Sequence, residues 1–529
     1  MKKLLFICVI VAFAAASWAK PLPTPDELFK GAAETAKTTR DMPHTWKAEQ
    51  KADYDFFPIS FWQAPYEITD EKFAEIAECG FNVAFVYTIT DQDKVFDLCE
   101  KYGMNAQLWI PDMLKYGGED PELESHLGPI IEKYKDHPAL WGYHLCDEPK
   151  PSEFAKIAEV RQFIKQRDPK HLSFVNLFPT YLGSFGTAAF GYGDPDRYVS
   201  EFCKMVKPEI LSYDSYPFMK DGTDRTTYFS NIEIYRKYAL KHDVPMNSII
   251  LSVPHTSNSG SKWGYRDPSE AEMRWEVYTS LAYGAKGILY FTYDPPRYDY
   301  SYEWGEALLN HDGTRNEKWY YAQQLNKEIK ALGPTLLNLT SCAVYHTGEV
   351  PNMAKALPAD NFLQVTGGDF VIGQFYDKAG DMYAMVTNRD YKNGVRAKMT
   401  FAKPVKVKEV APHGGTALQT SPKEFVKELK PGDGCLIRID AFGPVVGWSN
   451  YVKPRPRVVL DPSDQFANGF RDESGEFVKD ENGNPLYIEG VNMYEIAEKV
   501  YNILRRDGKV DAFLNRDYVT EDIPLKREA

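Results

Sequence analysis

Between Phe57 and Tyr293 the chain repeats one pattern eight times: a short apolar run, a loop and, in most units, a longer amphipathic segment. The runs are Phe57–Trp62, Phe81–Thr88, Met104–Ile110, Leu140–Cys146, Leu172–Phe178, Ile210–Tyr216, Ser248–Val253 and Gly287–Tyr293. Eight such units predict an α/β fold, a (β/α)8 TIM barrel over residues 56–332, rather than an open sheet. Helix-start chemistry agrees with the alternation. Thr69 or Asp70 caps a segment that ends at Gly80, Ser152 caps the segment after strand 4, and Ser269 with Glu272 forms a capping box behind Pro268. The last barrel helix is expected over Trp319–Ala331, stopped by Gly333-Pro334.

Beyond Pro334 the texture changes to alternating strands separated by turn signals such as Gly367-Gly368 and Asn393-Gly394. Phe370–Tyr376, Met382–Thr387, Lys398–Phe401 and Gly434–Ile439 predict a small antiparallel β-sandwich over 333–445. The extension 446–529 is proline- and charge-rich, with one helical pattern at Met493–Arg506, and suggests no role. At the other end, Met1–Ala19 has a basic start, an apolar centre and Ser17-Trp18-Ala19 as a small-x-small cleavage site. It reads as a cleavable signal peptide for export to the periplasm or the exterior, followed by a leader over 20–55. No later segment has the roughly 18 unbroken apolar residues of a membrane span.

A formal charge of −13 over 529 residues argues against a nucleic-acid partner, whose phosphates call for a basic face. Aromatics make up 14% of the chain, enough to supply both a core and a sugar-binding cleft, because aromatic rings cover the flat C–H faces of pyranoses. Beyond the signal lie Cys79, Cys99, Cys146, Cys203, Cys342 and Cys435, in no ligand-like spacing, so buried free thiols are expected and no metal or cofactor. His144 and His255 lack the paired spacing of a metal site.

Chemistry concentrates at the end of strand 4, Trp141-Gly-Tyr-His-Leu-Cys-Asp-Glu-Pro149. Pro149 biases Glu148 toward extended backbone and marks where the strand stops, the position at which barrel enzymes keep catalytic groups. In an unbroken strand His144, Cys146 and Glu148 share one parity, and as the more polar set they are expected to face the interior.

A strand-4 tip of this kind resembles the general acid/base station of clan A glycoside hydrolases, where Asn-Glu-Pro is usual. Leu281–Tyr293, Asn310-His-Asp-Gly-Thr314 and Leu332-Gly-Pro334 are similar to the end of a barrel of the family 42 β-galactosidase type. The resemblance implies Glu148 as general acid and Asp147 in the place of the sugar-contacting asparagine. It also implies a nucleophilic glutamate at the tip of strand 7, but Leu251-Ser-Val-Pro-His-Thr256 holds no carboxylate. Asp112, Asp214 and Asp294 are the candidates for the missing acid. Asp214 is preferred because it lies two strands from Glu148, and the empty strand-7 tip favours an inverting reaction. Substrate contacts are expected from Trp62, Trp109, Asp112, His144, Asp147, Asn176, Tyr216, His255, Trp263 and Asp294. The sequence thus suggests an exported glycoside hydrolase acting on an oligo- or polysaccharide. The alternative is a non-catalytic glycan-binding protein on a decayed barrel.

Overall fold

A computed structural model describes residues 56–441, apart from 63–65, 87–90, 110–120, 181–193, 260–262, 379, 411–417 and 420–422. The expected signal, leader and C-terminal extension, and Asp112, therefore lie outside the described residues. The chain divides into two units, Met1–Pro444 and Val445–Ala529, and all that follows concerns the first.

Strand and helix alternate as β1 (Ile59–Phe61), α1 (Asp70–Glu78), β2 (Val83–Val86), α2 (Gln92–Lys101), β3 (Asn105–Trp109), α3 (Pro121–Tyr134), β4 (Leu140–Asp147), α4 (Phe154–Arg167), β5 (Leu172–Leu177), α5 (Pro195–Val206), β6 (Leu211–Asp214), α6 (Tyr228–His242) and β7 (Met246–Leu251). Then come β8 (His255–Ser257), β9 (Gly264–Tyr265), α7 (Glu270–Ala282), β10 (Gly287–Phe291), β11 (Tyr302–Trp304) and α8 (Glu317–Leu337). Eight strands pair in parallel in the order β1-β10-β7-β6-β5-β4-β3-β2. Asn82 closes the ring between β1 and β2: its N–H donates to the Ile59 carbonyl at 3.0 Å, and its Oδ1 accepts the Ile59 N–H at 2.7 Å. This is the expected TIM barrel. One side-chain parity, including Trp62, Val83, Phe174, Ile249, Leu251 and Leu289, meets inside the ring, and the other packs under the helices.

The capping expectations divide. Thr69 Oγ1 accepts the Lys72 N–H at 3.2 Å, and the Ser269/Glu272 box is formed in both directions, at 3.3 and 2.8 Å. Ser152 does not cap α4. It is exposed in a 3₁₀ turn, Pro151–Glu153, and Glu153 Oε2 instead accepts the Lys150 N–H at 2.7 Å. The last helix also runs past its expected stop, from Glu317 to Leu337. Gly333 is needed there for packing, since a Cβ would stand 2.6 Å from that of Phe57, and buried Leu332 and Leu336 hold the turn through the backbone bond that Pro334 forfeits.

The segment after β7, from His255 to Asp267, is partly sheet. β8 pairs antiparallel with β11 and with β9, and a Cβ on Gly264 would stand 2.3 Å from the His255 carbonyl oxygen, so only glycine allows that approach. Past α8, the strands β12 (Thr340–His346), β13 (Leu363–Thr366), β14 (Phe370–Tyr376), β15 (Met382–Asn388), β16 (Val395–Phe401), β17 (Val405–Val410), β18 (Leu418–Gln419), β19 (Glu424–Leu429) and β20 (Gly434–Ala441) form two antiparallel sheets. One is ordered β12-β14-β15-β20-β17-β18 and the other β13-β16-β19.

Helix α7 is buried along nearly its whole length because β7 covers one side and β14 and β15 the other. A Cβ on Gly373 would stand 2.0 Å from the Ala282 carbonyl oxygen, and Trp275 Nε1–H donates across the same boundary to the Arg389 carbonyl at 2.9 Å. The sheets therefore buttress the barrel wall behind β7.

Among the described residues six cysteines are free, with Cys79, Cys99, Cys203 and Cys435 buried and Cys146 and Cys342 half-buried. Among the described residues no helix is long and apolar enough to cross a membrane.

Candidate active site

Strand β4 does not keep one parity to its tip. Its register with β5 shifts between His144 and Cys146, so that His144 pairs with Phe174, Cys146 with Val175 and Asp147 with Asn176. The extra residue of this bulge turns Cys146 toward the helices, against expectation, and brings Asp147 onto the inner face instead. Glu148 follows with a φ of 46°, left-handed rather than extended, at a cost of about 1 kcal/mol for a residue with a Cβ. Its backbone N–H donates to the Asn176 carbonyl at 2.9 Å, which holds the turned backbone in place.

The bulge and the turn gather three carboxyl groups from two strand tips. Asn176 lies between two of them: Nδ2–H donates to Asp147 Oδ1 at 3.2 Å and to Asp214 Oδ1 at 3.0 Å. Ser212 Oγ–H donates to Asn176 Oδ1 at 3.4 Å, which fixes the orientation of the amide. The sequence marked Asn176 as a substrate contact, and the fold uses it to tie the acids together. Glu148 and Asp214 lie close enough to interact directly, and the proton stays with Glu148, whose carboxyl is raised further than that of Asp214.

Electrostatics follow from this crowding. Burial, then the charges of Asp214 and Asp147, then the hydrogen bond given to Asp214, hold Glu148 well above the usual carboxylate range. Burial also raises Asp214, opposed by the hydrogen bonds it accepts from Asn176 and Glu148 and by the positive Arg225. Asp147 is raised by crowding and by Asp214, but it keeps an exposed face through which water offsets part of the effect. Asp214, 8% exposed, stands in the driest surroundings of the three. A carboxylic acid beside a carboxylate, with distinct surroundings, is an acid/base pair at neutral pH.

A stability consequence follows. A carboxyl group whose folded pKa is raised costs nothing below its unfolded value near 4, and destabilises the fold as pH rises through the folded value. Glu148→Gln is therefore expected to melt with the wild type near pH 4 and above it at pH 8, by an increment that grows with pH. Melting curves across that range check this, and a difference independent of pH would count against the shared-proton arrangement.

The remaining expected contacts are spread around the barrel. Tyr216 is buried two residues past Asp214, stacked on Phe291 at 5.5 Å. His255 is buried among Tyr265 at 4.8 Å, Trp304 at 4.7 Å and Tyr302 at 5.2 Å. Its Nδ1–H donates to the Val253 carbonyl at 3.0 Å, and burial lowers its pKa to about 4, so the ring is neutral. Trp263 is 42% exposed and sets its edge against Tyr265 and Tyr302. Trp62 and His144 pack edge to face at 5.5 Å inside the barrel, where burial holds His144 neutral with a pKa of about 3. Trp109 ends β3, half-buried. Asp294 is buried at the end of β10, facing Arg297 Nη2 at 3.7 Å and near Tyr66 and Lys72 rather than the Glu148 pair.

The sequence reading missed Arg225 and the small sheet. Arg225 Nε–H donates to the Tyr216 carbonyl at 3.1 Å and Nη2–H to Tyr265 Oη at 3.2 Å, so a cation is fixed near Asp214. Tyr302 on β11 sets its ring against His255 at 5.2 Å, and burial, then the charges of Glu148, Asp299 and Asp214, raise its hydroxyl above the ordinary range. The aromatic density of Arg297–Trp304 was a readable signal for it. Among the described residues no group of three or more His, Cys, Asp or Glu side chains is arranged to hold a metal ion.

No family model matches the chain, and no curated protein matches it. Among solved structures it is similar to a β-galactosidase of the psychrophilic Marinomonas ef1, at 11% identity over 54% of this chain and 62% of that one, with a TM-score of 0.41. The chain thus spans less than two thirds of that enzyme's length. It is also similar to an Anoxybacillus α-amylase, at 13% identity over 76% of this chain and 100% of that one, TM-score 0.44. A β-galactosidase of Bacillus circulans sp. alkalophilus matches at 11% identity over 74% and 100%, TM-score 0.48. These are likenesses of chain path at low sequence identity.

Proposed function

We propose that the protein is a glycoside hydrolase cleaving O-glycosidic bonds in an oligo- or polysaccharide, with Glu148 as general acid and Asp214 as the second carboxylate. The observation that carries this reading is the gathering of Asp147, Glu148 and Asp214 around Asn176, whose Nδ2–H donates to Asp147 and Asp214 at 3.2 and 3.0 Å and whose backbone carbonyl accepts the Glu148 N–H at 2.9 Å; burial and the Asp214 charge keep the proton on Glu148. Glu148 gives its proton to the departing glycosidic oxygen while the C–O bond breaks. The ionised Glu148 then takes a proton from the incoming water.

The contact also bears on stereochemistry. Inverting enzymes hold their two carboxyls roughly 6.5–9.5 Å apart to admit water, and retaining ones about 5–5.5 Å. Carboxyl groups near enough to interact directly stand nearer the retaining spacing than the inverting one, so we assign Asp214 the nucleophile's role and expect retention, reversing the expectation from the empty strand-7 tip. Asp214 attacks the anomeric carbon, and water later displaces it. Screening neutral glycans for released sugar, with the anomer followed by proton NMR, is expected to show product of unchanged configuration. An inverted product would return Asp214 to the role of base, and no release from any glycan would sink the hydrolase reading.

One observation favours the binding-only alternative: Leu251 ends β7 on the inner face, where the resemblance implies a carboxylate. Glycan binding by wild type and Glu148→Gln alike, with no product from either, would support it. We further propose export, on the pattern of Met1–Ala19, and a sandwich arrangement of the two antiparallel sheets. The latter is supported by the burial of β14 on both faces, only one of which meets α7.

A further inference from the structure

Six large hydrophobic side chains are more than a third exposed among the described residues, and three of them, Trp263 at 42%, Tyr298 at 75% and Tyr300 at 80%, lie in the segments flanking the small sheet β8-β9-β11. Rings left in water this way are a standing cost unless something covers them. The segment that carries two of them is tied down at four points. The Asn258 N–H and Nδ2–H donate to the Ser301 and Tyr300 carbonyls at 2.9 and 3.0 Å. Trp304 Nε1–H donates to the Asp299 carbonyl at 2.9 Å, and the Arg297 N–H donates to Tyr66 Oη at 2.6 Å. Tyr66 in turn sets its ring against Tyr298 at 5.5 Å, under the Arg297 guanidinium at 4.5 Å. The rings are thus presented on a braced backbone.

This patch is continuous with the acid pair. Tyr302 meets Trp263 at 5.9 Å on one side and His255 at 5.2 Å on the other, and His255 meets Tyr216, two residues past Asp214, at 6.3 Å. Its charge selects among occupants: Asp299 and Glu303 flank the rings, Arg297 faces the buried Asp294 at 3.7 Å, and the Asp214 charge lies beyond, so an anionic chain is disfavoured. Flat C–H faces without negative charge are what remains.

We infer that Trp263, Tyr298 and Tyr300 form a stacking platform for a neutral polysaccharide, which carries the substrate several sugar residues beyond the bond cut at Glu148. The inference rests on the glycosidase reading of the mouth and narrows its substrate class to neutral polymers. Affinity electrophoresis of the full chain through gels containing arabinogalactan, xylan, mixed-linkage glucan or galactomannan tests it, with polygalacturonate as the anionic control. Retardation by at least one neutral polymer and none by polygalacturonate is expected. The combined Trp263→Ala, Tyr298→Ala and Tyr300→Ala variant is expected to bind about tenfold more weakly or worse, while melting like the wild type. Absence of retardation by every neutral polymer, or unchanged retardation of the triple variant, overturns the platform. The two readings fail separately: a polymer held but never cut counts against hydrolysis alone, whereas short glycosides cut with no polymer held count against the platform alone.

Discussion

Glu148→Gln is expected to lower kcat/KM on an oligosaccharide about 10³-fold, the usual range for removing a general acid being roughly 10²–10⁴. The glutamine keeps the size of the side chain and can still donate an N–H to Asp214, so the fold and the Asn176 bridge survive, but it has no proton to give to a leaving oxygen. An alkoxide leaving group would then have to depart uncapped. The loss falls on kcat, because the group acts on a charge that appears only in the transition state. A variant within threefold of wild type would remove Glu148 from the chemistry.

Asp214→Asn is expected to be at least as damaging, on the order of 10⁴-fold, since it removes the nucleophile itself. Two further signs separate this from general disruption. The double variant with Glu148→Gln is expected to be little worse than Asp214→Asn alone, because the two side chains act as a unit. Any residual activity is also expected to lose its alkaline limb at lower pH than wild type. The Asp214 charge and the hydrogen bond it accepts both raise Glu148, so Glu148 loses its proton earlier when they are gone. In wild type the direction is the reverse: Asp214 must be ionised and Glu148 protonated, both are raised, and the bell-shaped profile is displaced upward from the ordinary carboxylate range. Asp214→Asn within tenfold of wild type, with an unmoved alkaline limb, would contradict the assignment.

The barrel was legible because it rests on period and count. Eight apolar runs with capping signals between them leave few other arrangements, and each observed barrel strand overlaps its expected run. Glu148 and Asp214 were legible for the same reason, as carboxylates at strand tips two strands apart. The exceptions depend on single backbone events. A bulge at Leu145-Cys146 inserts one residue into β4 with no compositional mark, and it exchanges Cys146 for Asp147 on the inner face. The left-handed turn at Glu148 runs against the bias of a residue before proline, and shows only once the Asn176 carbonyl is seen to accept its N–H. Helix α8 passes through Gly333-Pro334 because Phe57, 276 positions earlier, leaves room only for glycine. Pairing of β8 with β11 is likewise long-range, joining His255 to Trp304 across an intervening helix and barrel strand, and local propensity carries no trace of it.

The bulge also changes the meaning of Asp147. As the residue beside Glu148 it had only to take the place of a sugar-contacting asparagine, yet in the fold Asn176 bridges it to Asp214. Three acids with one bridging amide make the proton on Glu148 costly to remove.

The most direct test of that proton is the dependence of Glu148→Gln on the leaving group. Aryl glycosides whose phenols range from nitrophenol-like to phenol-like acidity are hydrolysed in parallel by wild type and variant. If Glu148 supplies the proton, the kcat/KM of the variant, which reports the first bond cleavage and not the later water step at which Glu148 acts as base, is expected to approach the wild-type value with the most acidic phenol and to fall away steeply as the phenol becomes more basic, reaching about the 10³-fold deficit with the oligosaccharide. Equal losses across the whole series, or none, would contradict the assignment of Glu148 as general acid.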